Sequence, residues 1–225
     1  MNHLKGADRP LSSIRKELLA AVRTILPLDD GVLIEFGNRA GNDLDLLAVV
    51  PSSTQLSWTL GDVDLLVLTR PDCEQLIELL DPLVTEPIRM GRAVGGSPQV
   101  FEDLHEKLAR PTATAEATSH LLHRALDNTH AARTWLQQYS AEPSARSADF
   151  FLRSLSFAVS SYRTAQRVNT GQISDLSMDA LMADCPLLKA IREVQHALHR
   201  IPCPEGIAAL LEAWERILLD GPKEI

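Results

Sequence analysis

Three acidic residues accompany two apolar runs, where a carboxylate is costly to bury. Asp43 and Asp45 form an Asp-Leu-Asp that leads into the apolar run ending at Val50, and Asp64 lies inside the apolar run Val63–Leu68. Burying an unpaired carboxylate costs several kcal/mol or more. These residues therefore predict a compensating cation, most simply a divalent metal ion.

Strand geometry would bring these carboxylates together. Asp43 and Asp45 are two residues apart, so on one strand their side chains project to the same face. A neighbouring strand in the obvious register brings Asp64 alongside. Converging carboxylate oxygens are ligands for magnesium, and two such ions can activate an attacking hydroxyl and stabilise a leaving pyrophosphate oxygen. Asp62 competes for the third position, but Gly61-Asp62 has the composition of a turn, which favours Asp64.

The turn just before the acidic pair has a composition that suits phosphate binding. Gly37 lets the backbone approach a phosphate closely, and the N–H groups that follow it can surround an anion. Arg39 can add charge-assisted hydrogen bonds. Glu35 precedes this turn and could support it or act as a base, but we expect an exposed strand position for it.

The elements that must position these residues form a mixed half of strands and helices. Runs that are apolar on both faces predict a sheet covered by helices on one or both sides. Breaker and cap residues predict the following elements: a helix from Ser12 or Ser13 to about Leu26, strands at Val32–Phe36 and Leu44–Val50, a longer extended stretch over Leu56–Leu68 that can bend at Gly61, a helix capped by Asp72 and ending near Leu80, a strand at Glu86–Met90, and a glycine turn over Gly91–Gly96.

The second half is helical. From Phe101 onward no strand pattern remains, and Pro111–Ala115 is the predicted linker, which places the domain boundary near residue 111. The predicted fold class is α+β. A small mixed-sheet domain with flanking helices covers residues 1–110, and an all-α bundle of four or five helices, which binds an acceptor or a partner, covers residues 111–225.

Helical spacing predicts the members of this bundle and their buried faces. The predicted helices are about His120–Tyr139, about Ala148–Asn169 with its end at Gly171, and two or three more over Ser177–Asp220 with breaks at Cys185-Pro186 and Pro202-Cys203-Pro204. The first is expected to bury Leu122, Ala125, Leu126, Ala132, Trp135 and Leu136. The second is expected to bury Phe151, Leu152, Leu155, Val159 and Tyr162.

The acidic motifs and the glycine turn together resemble a known superfamily. The run Phe36-Gly37-Asn38-Arg39-Ala40, followed by Asp43-Leu44-Asp45-Leu46-Leu47 and by Val63-Asp64-Leu65-Leu66-Val67, is similar to the nucleotidyltransferase superfamily of DNA polymerase beta. Small members of that superfamily include antibiotic nucleotidyltransferases and the minimal nucleotidyltransferases of toxin–antitoxin pairs. The resemblance covers residues 32–96 by motif and the rest of the chain by architecture.

The resemblance implies a nucleotidyltransferase domain followed by a helical substrate-binding bundle. The phosphates of a nucleoside triphosphate would be bound by Gly37, Asn38 and Arg39. The catalytic residues, which would hold two magnesium ions, would be Asp43, Asp45 and Asp64. The reaction would move a nucleoside monophosphate, with ATP as the expected donor, to a hydroxyl of a small-molecule or protein acceptor.

Two features depart from the superfamily pattern. The serine of the family is Asn38 here, and the interval from Gly37 to Asp43 is shorter than the family normally shows. The alternative function is therefore a catalytically degenerate protein of the same fold that acts as an antitoxin-like or regulatory binding partner.

Composition narrows the expected partners. The 225-residue chain has a formal net charge of −8 and a pI near 5.3, which argues against broad binding to nucleic acid or anionic lipid, since that needs clustered Lys and Arg. A cationic acceptor such as an aminoglycoside, or a basic protein, suits this charge better. The odd number of cysteines without CxxC spacing predicts no disulfide framework and no structural zinc site. No apolar run is long enough to span a membrane, so we expect a cytoplasmic protein. The sequence is compatible with a homodimer.

The helical half contains weaker candidates for chemistry. Arg124 and His130 have the Arg-x5-His spacing of helical ribonuclease domains, but a helix separates such side chains by about 120° around its axis. Two i, i+3 histidine pairs could ligate a metal, although solvated helix faces are the simpler expectation: His120 with His123, and His196 with His199. Aromatic residues at helical spacing are expected in the core, and one of them could form the base of an acceptor pocket. These residues are Trp135, Trp214, Phe150 and Phe151.

Overall fold

The computed structural model describes residues 11–37, 44–52, 56–60, 63–197 and 204–220. The chain divides into two compact units. The first unit comprises residues 1–77 and 83–110, and the second comprises residues 78–82 and 111–225. Within the described ranges, no helix combines the length and the apolar composition that crossing a membrane requires.

A five-stranded mixed sheet lies in the first half of the chain. The elements in chain order are α1 (Leu11–Ile25), β1 (Val32–Phe36), β2 (Leu44–Val50), β3 (Leu56–Leu60), β4 (Val63–Thr69), α2 (Arg70–Glu78), α3 (Pro82–Met90), β5 (Arg92–Gly96) and α4 (Pro98–Leu108). The strand order is β3-β4-β2-β1-β5, in which β2 and β4 are parallel and the other neighbours are antiparallel. The predicted α+β class with a mixed sheet is confirmed, and β1 and β2 have the predicted bounds.

Apolar side chains cover both faces of this sheet. One face packs against Val22 of α1 and buries Leu33, Leu46, Ala48, Leu65 and Val67. The opposite face packs against α2, α3 and α4 and buries Ile34, Leu47, Val49 and Leu68 together with Ile77, Val84, Ile88 and Leu104. Each fully buried Leu, Ile or Val side chain contributes about 1.5–3 kcal/mol, so the two faces account for the stability of the sheet.

The prediction of one long extended stretch over Leu56–Leu68 is wrong. Leu60 of β3 pairs with Val63 of β4 in an antiparallel ladder, so only two residues, Gly61 and Asp62, lie between the strands. A Gly-Asp pair between apolar runs is a hairpin signal. The chain therefore reverses direction between β3 and β4, and the predicted bend at Gly61 underestimates this change.

The predicted strand at Glu86–Met90 is also wrong, because these residues form the second half of α3. Val84 and Ile88, one helical turn apart, are both fully buried against the sheet. This apolar stripe outweighs the disruption expected from Pro87, which lies inside the helix.

The strand β5 occupies the place of the predicted glycine turn over Gly91–Gly96. Glycine is needed in this strand because the backbone of β5 passes close to the backbone just before β1. A Cβ on Gly96 would lie 2.2 Å from the carbonyl oxygen of Gly31, and Gly96 has a φ of 80°. Glycine inside a strand often marks such a close backbone approach, which a single sequence does not distinguish from a turn.

The predicted helix caps in this half are wrong. Ser12 and Ser13 lie inside α1. Thr69, and not Asp72, caps α2: its Oγ1 accepts a hydrogen bond from the Asp72 N–H at 3.2 Å and donates to Asp72 Oδ2 at 2.6 Å. Asp72 lies in the first turn of α2, where its backbone N–H is capped by Thr69 and its carboxylate accepts the Thr69 hydroxyl.

The second unit contains five described helices, which agrees with the predicted bundle. They are α5 (Ala115–Ala141), α6 (Ala145–Asn169), α7 (Met178–Asp184), α8 (Pro186–His196) and α9 (Pro204–Asp220). The predicted end of α6 is confirmed by Gly171, which has a φ of 73°. The predicted break at Cys185-Pro186 is confirmed as well, whereas residues 198–203, next to the second predicted break, lie outside the described residues.

The buried face of α5 is displaced from the predicted one. Leu122 and Leu126 are 39% and 58% exposed, whereas Leu121 is fully buried. Alanines of α5 and α6 share one core cluster, Ala125, Ala132, Ala148 and Ala158, and such small residues let two helices approach closely. The buried face of α5 is therefore built largely from small side chains, and not from Leu122 and Leu126 as predicted. On α6, the five residues predicted to be buried are all buried.

Trp214 is the largest fully buried side chain of the described residues. Its Nε1 donates a hydrogen bond to Thr129 Oγ1 at 2.7 Å, and its ring lies edge-to-face with Tyr162 at 5.4 Å between centroids. A buried indole N–H needs an acceptor, since an unsatisfied buried donor is costly. Thr129 thus links α5 to α9 through a polar contact inside an apolar core.

We predict that Thr129→Val lowers the free energy of unfolding by about 1–3 kcal/mol, because it leaves the Trp214 N–H without its acceptor. Urea unfolding followed by tryptophan fluorescence measures this loss. Thr134→Val is the matched control, since Thr134 is exposed and, like Thr129, bonds the carbonyl four residues earlier. Equal losses in the two variants would contradict the role of Thr129.

A charged network joins α2 to α4 on the surface of the first unit. Glu74 accepts hydrogen bonds from Arg70 Nε at 2.8 Å and from Lys107 Nζ at 3.3 Å, while Arg70 Nη2 also donates to Asp103 at 3.0 Å. The hydrogen bond from Arg70 is the main cause that holds the pKa of Glu74 below its ordinary value, and the bond from Lys107 acts in the same direction.

We predict that Glu74 stabilises the fold in a pH-dependent way. Because the pKa of Glu74 is lower in the folded than in the unfolded state, its contribution is present above the unfolded pKa and is lost as the pH falls through the folded pKa. Glu74→Gln should therefore lower the urea midpoint at pH 7, and the difference from the unmodified protein should shrink toward pH 3. The exposed Glu102→Gln on α4 should show no such pattern, and a difference that does not depend on pH would contradict the prediction.

Candidate functional site

Two of the predicted carboxylates are neighbours in the sheet. Asp45 is the second residue of β2 and Asp64 the second residue of β4, and the two are Cα partners in the parallel ladder. Adjacent strands lie about 4.8 Å apart, and residues in register project to the same face. Both side chains are partly exposed. The carboxylates of Asp45 and Asp64 therefore leave the same face of the sheet, at the amino ends of both strands.

Gly37 lies directly against the Asp45 carboxylate. It follows β1, is exposed and has a φ of 79°, in the left-handed region that favours glycine. A Cβ at this position would lie 2.1 Å from Asp45 Oδ2, which no side chain could tolerate without displacing the carboxylate. The backbone conformation therefore favours glycine at position 37, and a side chain there would also displace the Asp45 carboxylate.

Three of the predicted site residues lie outside the described part of the chain. They are Asn38, Arg39 and Asp43, and Asp62, the rival of Asp64, lies outside it as well. Their predicted roles in phosphate and metal binding stay predictions. The structure therefore describes Gly37, Asp45 and Asp64 as the candidate site.

The chemistry of Asp45 and Asp64 fits a magnesium ion. Magnesium prefers oxygen ligands, takes one or two carboxylates from the protein and completes its shell with water and substrate phosphates. Two carboxylates from neighbouring strands on one face supply that donor set. Among the described residues there is no group of three or more His, Cys, Asp or Glu side chains arranged to hold a metal, so a third carboxylate would have to come from elsewhere.

Glu35 differs from its prediction, since it is fully buried and not exposed. Its Oε2 accepts two hydrogen bonds from Arg92, from Nε at 2.9 Å and from Nη2 at 2.7 Å. The two residues are Cα partners between β1 and β5. Arg92 was missed because it falls in the predicted glycine turn, although a Glu inside an apolar strand already indicates a cationic partner.

A second buried carboxylate, Asp81, lies in the helical unit. Asp81 is 2% exposed, its Oδ2 lies 2.7 Å from His120 Nε2, and the same oxygen lies 3.1 Å from Arg124 Nε. The neighbouring Leu80, with a φ of 57°, packs with Leu121 in a small apolar cluster. These contacts assign His120 and Arg124 to the attachment of residues 78–82 to the bundle.

The remaining candidates of the helical half do not come together as a site within the described residues. His130 is exposed, and His123 Nδ1 bonds the carbonyl of Ser119 in its own helix. Trp214 and Phe151 are core residues, as predicted. Trp135 and Phe150 were also predicted to be core residues, but they are only partly buried, and their rings stack with centroids 4.6 Å apart. His199 lies outside the described residues.

The two cysteines that the structure describes do not supply a nucleophile. Cys73 and Cys185 are buried free thiols, and burial raises the pKa of Cys73 to about 12. A thiol with so high a pKa carries almost no thiolate at neutral pH, and the thiolate is the reactive form.

Comparison with known proteins gives no family assignment. No protein-family model matches the chain, and no curated protein sequence matches it. Among solved structures, the chain is similar to a nucleotidyltransferase-like protein from Exiguobacterium sibiricum, with 13% sequence identity, a TM-score of 0.35, and coverage of 90% of this chain and 73% of that chain. A similarity with so low a TM-score carries no conclusion about this chain.

An alanine in the left-handed backbone conformation costs roughly 1–2 kcal/mol. We predict that Gly37→Ala lowers the free energy of unfolding by more than this cost, because the new Cβ also displaces the Asp45 carboxylate. In an Asp45→Ala background, the loss should fall back to about that cost. Urea unfolding of the four combinations measures the coupling between the two positions.

Gly171→Ala is the matched control for this cycle. Gly171 has a φ of 73°, and a Cβ there would meet nothing within 4 Å, so only the backbone cost applies. Equal losses for Gly37→Ala and Gly171→Ala, or no coupling between Gly37 and Asp45, would contradict the contact.

Proposed function

We propose that this chain is a magnesium-dependent nucleotidyltransferase that moves a nucleoside monophosphate from ATP to a hydroxyl of a small-molecule or protein acceptor. The observation that carries the proposal is the pairing of Asp45 with Asp64 on parallel neighbouring strands, with Gly37 against the Asp45 carboxylate. Two carboxylates on one face, next to a glycine turn, match the needs of a triphosphate with its divalent cation.

Each residue of the site has a role in this proposal. Asp45 and Asp64 supply oxygens to magnesium, and Asp43 is proposed from the sequence as the third ligand. Gly37 opens the turn that receives the triphosphate, on which Asn38 and Arg39 are proposed to donate hydrogen bonds. Magnesium, when bound, would neutralise charge on the phosphates and on the leaving pyrophosphate.

The proposed reaction is an in-line displacement at the α-phosphorus. The acceptor oxygen forms a bond to that phosphorus while the bond to the bridging oxygen of the β-phosphate breaks, pyrophosphate leaves, and the hydroxyl proton is released. The protein contributes mainly by holding the triphosphate and the acceptor in line, since positioning and charge stabilisation dominate phosphoryl transfer.

The net charge of −8 supports a cationic acceptor such as an aminoglycoside. The alternative function is a degenerate protein of the same fold that binds a partner in an antitoxin-like or regulatory way. Its support is the short interval between Gly37 and Asp43 in the sequence. The two functions differ in whether the chain binds a nucleotide in the presence of magnesium.

We predict that the protein binds ATP only when magnesium is present, and that Asp45→Asn and Asp64→Asn each abolish most of this binding. Transfer of labelled nucleoside monophosphate to an acceptor should fall by about 100-fold or more, since the lost charge stabilisation amounts to several kcal/mol. Calorimetry with ATP and magnesium, and transfer from ATP labelled at the α-phosphate, measure the two effects.

Asp30→Asn is the matched control, because it makes the same chemical change at an exposed turn of the same unit. It should leave both measurements unchanged. Absence of magnesium-dependent ATP binding in the unmodified protein would reject the enzyme and leave the partner-binding alternative.

A further inference from the structure

One charged pair fixes the alignment of two strands next to Gly37. Glu35 is fully buried on β1, and Arg92, which begins β5, is its Cα partner. Arg92 donates to a single carboxylate oxygen of Glu35 from two nitrogens, at 2.9 Å and 2.7 Å. Because the guanidinium is planar and rigid, two donors on one oxygen restrict both the distance and the orientation of the strands.

An irregularity in the same ladder makes this alignment depend on few contacts. Leu33 pairs with Gly95, but Ile34 pairs with Ala93, so β5 has one extra residue, Val94, opposite β1. Such a bulge interrupts the ladder and bends the strand. Beyond the bulge, only Ala93 and Arg92 remain paired with β1, so the backbone alone specifies the register weakly there.

Close contacts continue from this pair to the candidate site. A Cβ on Gly91, next to Arg92, would lie 2.5 Å from Ile34 Cγ2 and 3.0 Å from the carbonyl oxygen of Glu35. A slip of β5 by one residue would bring a side chain into the space that only Gly91 fits. Two residues after Glu35, Gly37 lies against the Asp45 carboxylate.

We propose that the Glu35–Arg92 pair is a positioning element of the nucleotide site, which holds the end of β1 so that Gly37 keeps its place against Asp45. This inference rests on the proposed nucleotidyltransferase function. Glu35 is fully buried, whereas the Arg92 side chain is 55% exposed. An ion pair that reaches solvent in this way contributes little net stability, because solvent screens it and the buried carboxylate still loses its hydration. Stability therefore does not account for a carboxylate on an otherwise apolar strand, whereas the alignment of a binding turn does.

The test combines Glu35→Met with Arg92→Met, which removes both charges and keeps similar side-chain volumes. The urea midpoint should stay near that of the unmodified protein. Amide hydrogen exchange over residues 32–37 and 92–96 should accelerate by about 10-fold or more, because the local opening free energy falls. The affinity for ATP with magnesium should fall by about 10- to 100-fold, as for residues that orient the ligands of a metal.

Two further variants sharpen this test. Arg92→Lys keeps the charge but lacks the rigid fork, so it should also weaken ATP binding, by about 10-fold. Arg110→Gln is the control, because its ion pair with Glu106 is exposed and joins residues four apart at the end of α4. It should change neither hydrogen exchange in the strands nor ATP affinity.

The outcomes separate this proposal from the proposed function. ATP affinity equal to that of the unmodified protein in the double methionine variant overturns the proposal, since the pair would then be purely structural. If that variant does not fold, unchanged affinity in Arg92→Lys overturns it in the same way. If the unmodified protein binds no ATP, the proposed function fails, and the role of the pair at a nucleotide site fails with it. Amide hydrogen exchange then tests the alignment of β5 by itself: faster exchange in the variants supports it, and unchanged exchange contradicts it.

Discussion

The in-register pairing of β2 with β4 is the constraint on which the candidate site depends. Both strands are apolar on both faces, so the burial of leucine and valine alone does not select their register. The aspartates do. A shift by one residue would move a carboxylate to the face that buries Leu46 and Leu65, at a cost of several kcal/mol. Asp45 and Asp64 are aligned because each needs the partly exposed end of the same face.

The sequence predicts those parts of the fold in which one local signal dominates. β1 and β2 were predicted with their observed bounds because they are apolar runs bounded by turn residues. The errors occur where tertiary contacts decide between two local signals. The glycines of β5 have the composition of a turn, yet they serve a close approach to β1, and α3 contains a proline that its buried stripe outweighs. On α5, packing against α6 favours alanine over Leu122 and Leu126, which helical spacing alone does not reveal.

The site could be predicted as far as its carboxylates but not as far as their surroundings. The cost of a carboxylate in an apolar strand led to Asp45 and Asp64, which the structure pairs. The same rule applied to Glu35 would have required a cation nearby, but Arg92 is 57 residues away in sequence, on a strand that was not predicted. Asp81 and His120, 39 residues apart, are a similar case. Partners of this kind depend on topology, which a residue pattern does not contain.

Gly37 and the Asp45 carboxylate occupy adjoining space, so a side chain at position 37 would displace the carboxylate. An apolar residue at position 45 would remove the cost of a partly buried carboxylate and would extend the core that already contains Leu47. In the proposed function, a cation shared by Asp45 and Asp64 would compensate both carboxylates, which gives a physical reason for a carboxylate in place of an apolar residue at position 45.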